Sequence, residues 1–287
     1  MSTDSHQPPD PAPASPNPPL PQPLLSTLWY EPPGQHFDLR FPWWLKCFVV
    51  ILLTLAALLW WDYPLAHWAL TTHPIPDLAR GTGGDVGRDL MFLEQWGQWA
   101  CSIIVIIAVA LLDRAGRRRA FAIALGCLAT VFVAYFLKEV IGRSRPYVIG
   151  DGSWAWGGGV MAIGHGSSWQ SFPSSHTTGA FALAAGLAWF YPRGRALFMT
   201  LATITAIQRV LHGAHFLSDV IAGMGIAVFI TRWTLGGRIP GRLINLMPPN
   251  LQQWFLTDSL PVPRPGWAQP WGRRPAPERA RAHAPTT

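Results

Sequence analysis

Apolar residues in this chain collect into six runs, at 43–61, 97–112, 120–137, 177–192, 196–211 and 216–231. Three short connections and two long ones separate them, and two long stretches outside them hold no apolar period. A helix rises about 1.5 Å per residue, so about 20 apolar residues cross a hydrocarbon core about 30 Å thick. Each run approaches that length, and the pattern predicts six membrane-spanning helices. The first three runs are clean. The last three are shorter between charges and carry polar residues at one end, which marks function, because polar groups inside a membrane span are costly.

Composition agrees with this reading. Only 22 basic and 15 acidic side chains occur in 287 residues, or 13%, against about 25% in an ordinary soluble domain. An ordinary water-soluble fold is therefore disfavoured. The 16 Trp, 14 Phe and 5 Tyr suit membrane interfaces, where amphipathic rings gather. Cys47, Cys101 and Cys127 lie inside apolar runs, are odd in number and lack metal-ligand spacing, so neither a disulfide framework nor a zinc site is expected.

Three segments follow. Residues 1–41 are crowded with proline and read as a disordered, polyproline-like lead. No basic-then-apolar start with a small-residue cleavage site is present, so the first apolar run is expected to be the first span and not a cleaved signal. Residues 42–235 form the membrane domain. Residues 236–287 carry seven arginines against Asp258 and Glu278, interleaved with Trp254, Trp267 and Trp271. This Arg/Pro-rich tail is expected to be disordered, either resting on anionic headgroups or solvated. A nucleic-acid partner is not expected, and nothing here fixes an oligomeric state.

The short loops set the orientation, since cytoplasmic loops are enriched in Lys and Arg. Arg114, Arg117, Arg118 and Arg119 lie between runs two and three, Arg193 and Arg195 between four and five, and Arg232, Arg238 and Arg242 after six. Both termini are thereby assigned to the cytoplasm. The connection 62–96 is acidic and lies outside. Lys138, Arg143, Arg145 and Arg209 break the rule by lying on the outer side, and an anionic ligand is the simplest partner for them.

Three motifs stand at that outer edge. In Lys138-Glu-Val-Ile-Gly-Arg-Ser-Arg145-Pro146, proline disfavours helix at the residue before it. The third helix is therefore expected to end near Gly142, with Arg145 extended and folding back so that it and Lys138 converge on one anion. In Phe172-Pro173-Ser174-Ser175-His176, the start of the fourth helix offers the N–H groups of Ser174, Ser175 and His176 as an anion cradle. In Arg209-Val-Leu-His-Gly-Ala-His215-Phe-Leu-Ser-Asp219, His215 and Asp219 are four apart. If the sixth helix starts here they share a face, so the carboxylate can fix the imidazole tautomer and leave the other nitrogen as a base or nucleophile.

These segments resemble the three signature motifs of the type 2 phosphatidic acid phosphatase family, relatives of the vanadium haloperoxidases. Lys138 through Arg145-Pro146 matches the first motif. Pro173-Ser174-Ser175-His176 matches the second, with Ser175 where the family has glycine. Arg209, His215 and Asp219 match the third, with Gln208 replacing a serine. The resemblance covers roughly residues 43–232 and implies an all-α, six-transmembrane helix bundle and a lipid phosphatase. In that reading His215 attacks phosphorus and carries a covalent phosphohistidine, Asp219 orients it, and His176 protonates the leaving group and later activates water. Lys138, Arg145 and Arg209, with the Ser174 and Ser175 end of the helix, hold the phosphate. No metal and no other cofactor is implied.

The substrate would be a lipid phosphate or pyrophosphate met at the bilayer surface: phosphatidic acid, phosphatidylglycerol phosphate or a polyprenyl pyrophosphate. The setting would be a bacterial inner membrane with the site on the periplasmic face. A phosphotransferase using the same histidine is the competing enzyme reading. A non-enzymatic anion transporter is the competing reading of another class, opposed by the lack of an internal repeat. The Gly-rich segment 150–170 with Trp154, Trp156 and Trp169 is expected as an interfacial loop or a flap over the site.

Overall fold

A computed structural model describes residues 42–72, 94–113, 115–236 and 238–256. The proline-rich segment 1–41, most of the acidic connection, Arg114, and the stretch 257–287 with most of the tail's arginines lie outside the described residues. Within them the regular elements are helices. Six long ones follow the six apolar runs: α1 (Trp43–Thr72), α2 (Trp99–Leu112), α3 (Gly116–Ile141), α4 (Ser175–Phe190), α5 (Arg195–Leu211) and α6 (Leu217–Gly236). α1, α3 and α6 are long and apolar enough to cross a membrane, and α2 is a shorter apolar helix.

α4 forms the centre of the bundle, packed against α3, α5 and α6. Ala180, Ala182, Leu183 and Ala184 on it are completely buried, and such small side chains let helices approach closely in a bilayer, where there is no hydrophobic drive between them. This explains why α4 needs only 16 residues: its neighbours, not lipid, surround it. By contrast α1 and α2 carry Leu59, Trp60, Ile104 and Leu112 on their outer surfaces.

Two elements differ from the sequence expectation. The first helix does not stop at residue 61 but continues to Thr72. Residues Ala57–Trp61 form a π turn just ahead of Pro64, whose missing N–H and ring bulk would otherwise disrupt the regular ladder. In the segment after α6, Ile239–Asn245 and Pro249–Leu256 are helices instead of unstructured tail. Pro240, Gly241 and Ile244 are buried, the Arg117 guanidinium lies 4.6 Å from the Trp254 ring centroid, and Phe255 packs on Phe121 at 5.2 Å. These apolar and cation–π contacts fix the first part of the tail to α3.

The arginine-rich end of the bundle is held by Asp113. Its carboxylate accepts from the Arg119 guanidinium at 2.7 Å and from the Tyr191 hydroxyl at 2.5 Å, so the α2–α3 and α4–α5 turns meet there. The three motifs all lie at the opposite end.

Candidate active site

α3 ends at Ile141, and Gly142 adopts a left-handed conformation with φ 55°. A side chain there would run into the Gly158 carbonyl, so glycine is required for the chain to turn back. Arg145 then continues in extended conformation, as the following proline dictates. The Lys138 ammonium is buried and donates to the Gln170 carbonyl, and Arg145 Nε donates to the Ser167 carbonyl at 2.8 Å.

The Gly-rich segment is neither a free flap nor a plain interfacial loop. It contains a helix at Gly158–His165 and is laced to the first motif, with Ser144 N–H donating to the Ala155 carbonyl at 3.0 Å and Arg145 N–H to the Ser168 carbonyl at 2.9 Å. Trp154 and Trp156 lie over the Arg143 guanidinium at 5.0 and 5.1 Å, and Phe216 lies at 4.0 Å.

The start of α4 is offset from expectation by one residue. Ser174 is the capping residue and its N–H is spent on the Asp219 carbonyl at 3.1 Å. Of the three N–H groups expected to be open there, those of Ser175 and His176 remain so, since a helix cannot pair them within its own first turn. Pro173 lies one position before the cap, outside the first turn. The Ser174–Asp219 bond also locks the second motif onto the third.

Between α5 and α6 the chain folds so that the N–H groups of Ala214 and His215 both donate to the Arg209 carbonyl at 3.2 Å. His215 is 2% exposed. Its Nδ1–H donates to the Ser171 carbonyl at 2.9 Å, and Asp219 Oδ2 stands at 3.6 Å. The expected direct His215–Asp219 hydrogen bond is thus replaced by a backbone acceptor, with the carboxylate as a close counter-charge. The cause is that Asp219 is already engaged. Its Oδ1 accepts from Arg143 at 2.7 Å and its Oδ2 from Ser171 Oγ at 2.5 Å and Phe216 N–H at 2.9 Å. Either acceptor fixes the same tautomer and leaves Nε2 as a lone pair. Burial pushes the imidazole down to about 3, and the Arg145 and Lys138 charges add in that direction against Asp219. At neutral pH the ring is uncharged.

Arg209 and His176 share a partner that lies in no motif. Glu94, ahead of the 3-10 turn Gln95–Gly97, forms an ion pair with Arg209, accepts from Gln208 Nε2 at 3.2 Å and lies 3.6 Å from His176 Nε2. Gln98 Nε2 donates to the same His176 nitrogen at 2.8 Å. The turn can sit this close because a Cβ on Gly97 would fall 2.6 Å from the His176 carbonyl. Arg209, Arg145 and Lys138 lie close enough to His176 to act on it electrostatically. Arg209 Nε is buried and meets no acceptor among the described residues.

Of the four cations that break the charge rule, then, two form ion pairs with carboxylates among the described residues. Arg143 is completely buried between Asp219 and Asp62, at 2.7 and 2.8 Å, and Arg209 has Glu94. Sequence reasoning missed Asp62, Glu94, Gln98, Ser171 and Ser218. Only the excess of unexplained cations signalled that carboxylates had to be near. Among the described residues no three His, Cys, Asp or Glu side chains gather as metal ligands would.

The arrangement thus gathers cations, two histidines and an open helix N-terminus at one end of a helical bundle. Residues 119–238 match the model of the PAP2 superfamily. The lipid A 1-phosphatase of Rhizobium johnstonii is 38% identical over 103 residues, covering 36% of this chain and 41% of that protein. The lipid A 1-phosphatase of Rhizobium etli is 40% identical over 93 residues, 32% of this chain and 38% of that protein. The Escherichia coli protein named "Putative undecaprenyl-diphosphatase YbjG" is 27% identical over 159 residues, 54% of this chain and 74% of that protein. The chain thus spans about two fifths of the length of the two lipid A 1-phosphatases it matches. No solved structure matches.

Proposed function

We propose that this protein is an integral membrane phosphatase that hydrolyses a lipid phosphate or pyrophosphate by way of a phosphohistidine on His215. The observation that carries this reading is the hydrogen bond from His215 Nδ1–H to the Ser171 carbonyl at 2.9 Å, which leaves a neutral Nε2 in the same cluster as Lys138, Arg145, Arg209 and His176. Nε2 attacks phosphorus, the ester P–O bond breaks, and His176, which takes up a proton as the anionic phosphate binds among the cations, gives that proton to the leaving oxygen. Water then attacks the phosphohistidine, His176 takes a proton from it, and the P–N bond breaks to return His215.

A phosphoryl transition state spreads negative charge over three oxygens. Fixed guanidinium and ammonium groups and the Ser175 and His176 N–H groups stabilise that charge without reorganising. Asp219 stabilises the imidazolium that phosphorylated His215 becomes, and Glu94 does the same for protonated His176. The chemistry needs no metal, and phosphate release is expected to persist in EDTA.

The relatives' names add lipid A 1-phosphate to the substrates suggested by sequence, namely phosphatidic acid, phosphatidylglycerol phosphate and polyprenyl pyrophosphate. All present a phosphate at a headgroup, and the placement of arginines in the short loops supports a site at the periplasmic rim of a bacterial inner membrane, with six spans and cytoplasmic termini. Phosphate release from this lipid panel by the full chain in detergent or nanodiscs is the test. His215→Ala is expected to lose at least about 10³-fold in kcat, as removal of a nucleophile does. A His215→Ala protein that releases phosphate at the wild-type rate would refute the mechanism.

A further inference from the structure

We infer that Asp62, on the first span and outside every motif, is a positioning residue for the catalytic centre. This rests on the phosphatase reading and deepens it. The buried positions of α1 beyond the membrane middle are Ala57, Asp62, Ala66 and Ala69. The spacing from 62 onward is that of an α-helix, but the step from 57 to 62 is five residues, one π turn. Without the π turn at Ala57–Trp61, position 61 would face inward and Asp62 would be rotated away. Trp61 instead points outward at 57% exposure while Asp62 is completely buried. The inserted residue delivers a carboxylate to the bundle interior.

That carboxylate is engaged on all sides. Oδ2 accepts from Arg143 Nη2 at 2.8 Å and from the Ser218 hydroxyl, and Oδ1 accepts from the Ser218 N–H at 2.9 Å. Ser218 immediately precedes Asp219, and Arg143 Nη1 bridges to both Ser218 Oγ and Asp219 Oδ1 at 2.7 Å. Asp62 therefore sets the first turn of α6 from outside the 119–238 region that carries the family match. One guanidinium is shared between two carboxylates. If Asp62 loses its charge, Arg143 is free to move fully onto Asp219 and draw it from Ser171 Oγ and the Phe216 N–H, the groups that place it beside His215. The effect on chemistry travels from Asp62 through Arg143 and Asp219 to the imidazole, with no contact between Asp62 and substrate.

The test uses the full-length protein in nanodiscs with Asp62→Asn, which keeps shape and removes charge, and Asp62→Glu, which keeps charge. Two readouts are taken: kcat and KM on a lipid phosphate that the wild type hydrolyses, and ¹⁵N-histidine NMR with the His215 signals assigned by difference against His215→Ala. For Asp62→Asn a fall in kcat of about 10–100-fold, the range for partners that orient a first-rank ligand, is expected with KM within about threefold. The His215 Nδ1 and Nε2 signals shift away from the single Nδ1–H tautomer, and Asp62→Glu restores part of both. A folded Asp62→Asn protein with wild-type kcat and unchanged His215 signals overturns the inference. If Asp62→Asn does not fold, Ser218→Ala, which removes the hydroxyl contact to Asp62 Oδ2 and leaves every buried charge in place, is taken through the same two readouts: a smaller shift in the same direction is expected, and wild-type kcat with unchanged His215 signals overturns the inference. Should the wild type hydrolyse no phosphate ester, the phosphatase reading fails, while the His215 signals still decide whether Asp62 positions the ring.

Discussion

Arg209 already holds a carboxylate in the structure, that of Glu94, and the same carboxylate lies beside His176. A phosphate arriving at Arg209 meets this negative charge at close range. Glu94→Gln is expected to tighten inhibition by inorganic phosphate or orthovanadate by about tenfold, roughly the 1.4 kcal/mol by which one repulsive contact can alter an equilibrium. Inhibition constants at pH 7 read it out, and unchanged or weaker inhibition contradicts the assignment of Arg209 to the phosphate. Arg143 behaves differently, because both its carboxylate partners are buried with it. Removing one member of such a group costs about 3–5 kcal/mol, so Arg143→Ala is expected to lower Tm sharply as well as activity.

His215 also makes a prediction about pH. Its folded-state value, about 3, lies below the unfolded value of about 6.5. Between these limits the unfolded chain binds the extra proton and the folded one does not. Stability is thus present above about 6.5 and declines as pH falls towards 3. Thermal unfolding between pH 7 and 4 is expected to show a smaller decline in His215→Gln than in the wild type. Equal slopes would mean that the ring is not held neutral by burial.

Among the elements, the 3-10 turn Gln95–Gly97 positions two polar groups on His176 through one close approach. Gly97→Val puts side-chain atoms against the His176 carbonyl and Thr205. It is expected to displace Glu94 and Gln98 and to reduce kcat by about 10–100-fold, since misplacements near 1 Å cost up to about 10²-fold. A wild-type kcat in a folded Gly97→Val protein would remove the turn from the mechanism. The six runs and the ends of α3 and α4 were readable to within a few residues, because apolar run length, the Arg145-Pro146 step and serine capping act locally. The continuation of α1 past residue 61 was not. Asp62, Tyr63 and Pro64 read as the start of a loop, and only the partners waiting at Arg143 and Ser218 make a buried aspartate tolerable there.

On the scale of the molecule, the motifs gather at one end and the Asp113–Arg119–Tyr191 group with its neighbouring arginines at the other. In a background without Cys47, Cys101 and Cys127, a membrane-impermeant maleimide applied to intact spheroplasts is expected to label Asp151→Cys and to leave Arg193→Cys unlabelled until lysis. The reverse pattern would place the phosphate site on the cytoplasmic side.

The sequence by itself determined that the chain carries apolar helices suited to a membrane and roughly where the six long ones lie, and it supplied the residues proposed to meet a phosphate. Those properties follow from apolar length, charge placement and motifs a few residues long. The tertiary structure alone decided what holds those residues in place: the Ser171 carbonyl on His215, Glu94 on Arg209, and Arg143 shared between Asp219 and Asp62. These partners come from segments 44 to 115 positions away in the chain. A buried charge must find its counter-charge wherever packing brings one, and no local pattern records which segment that will be.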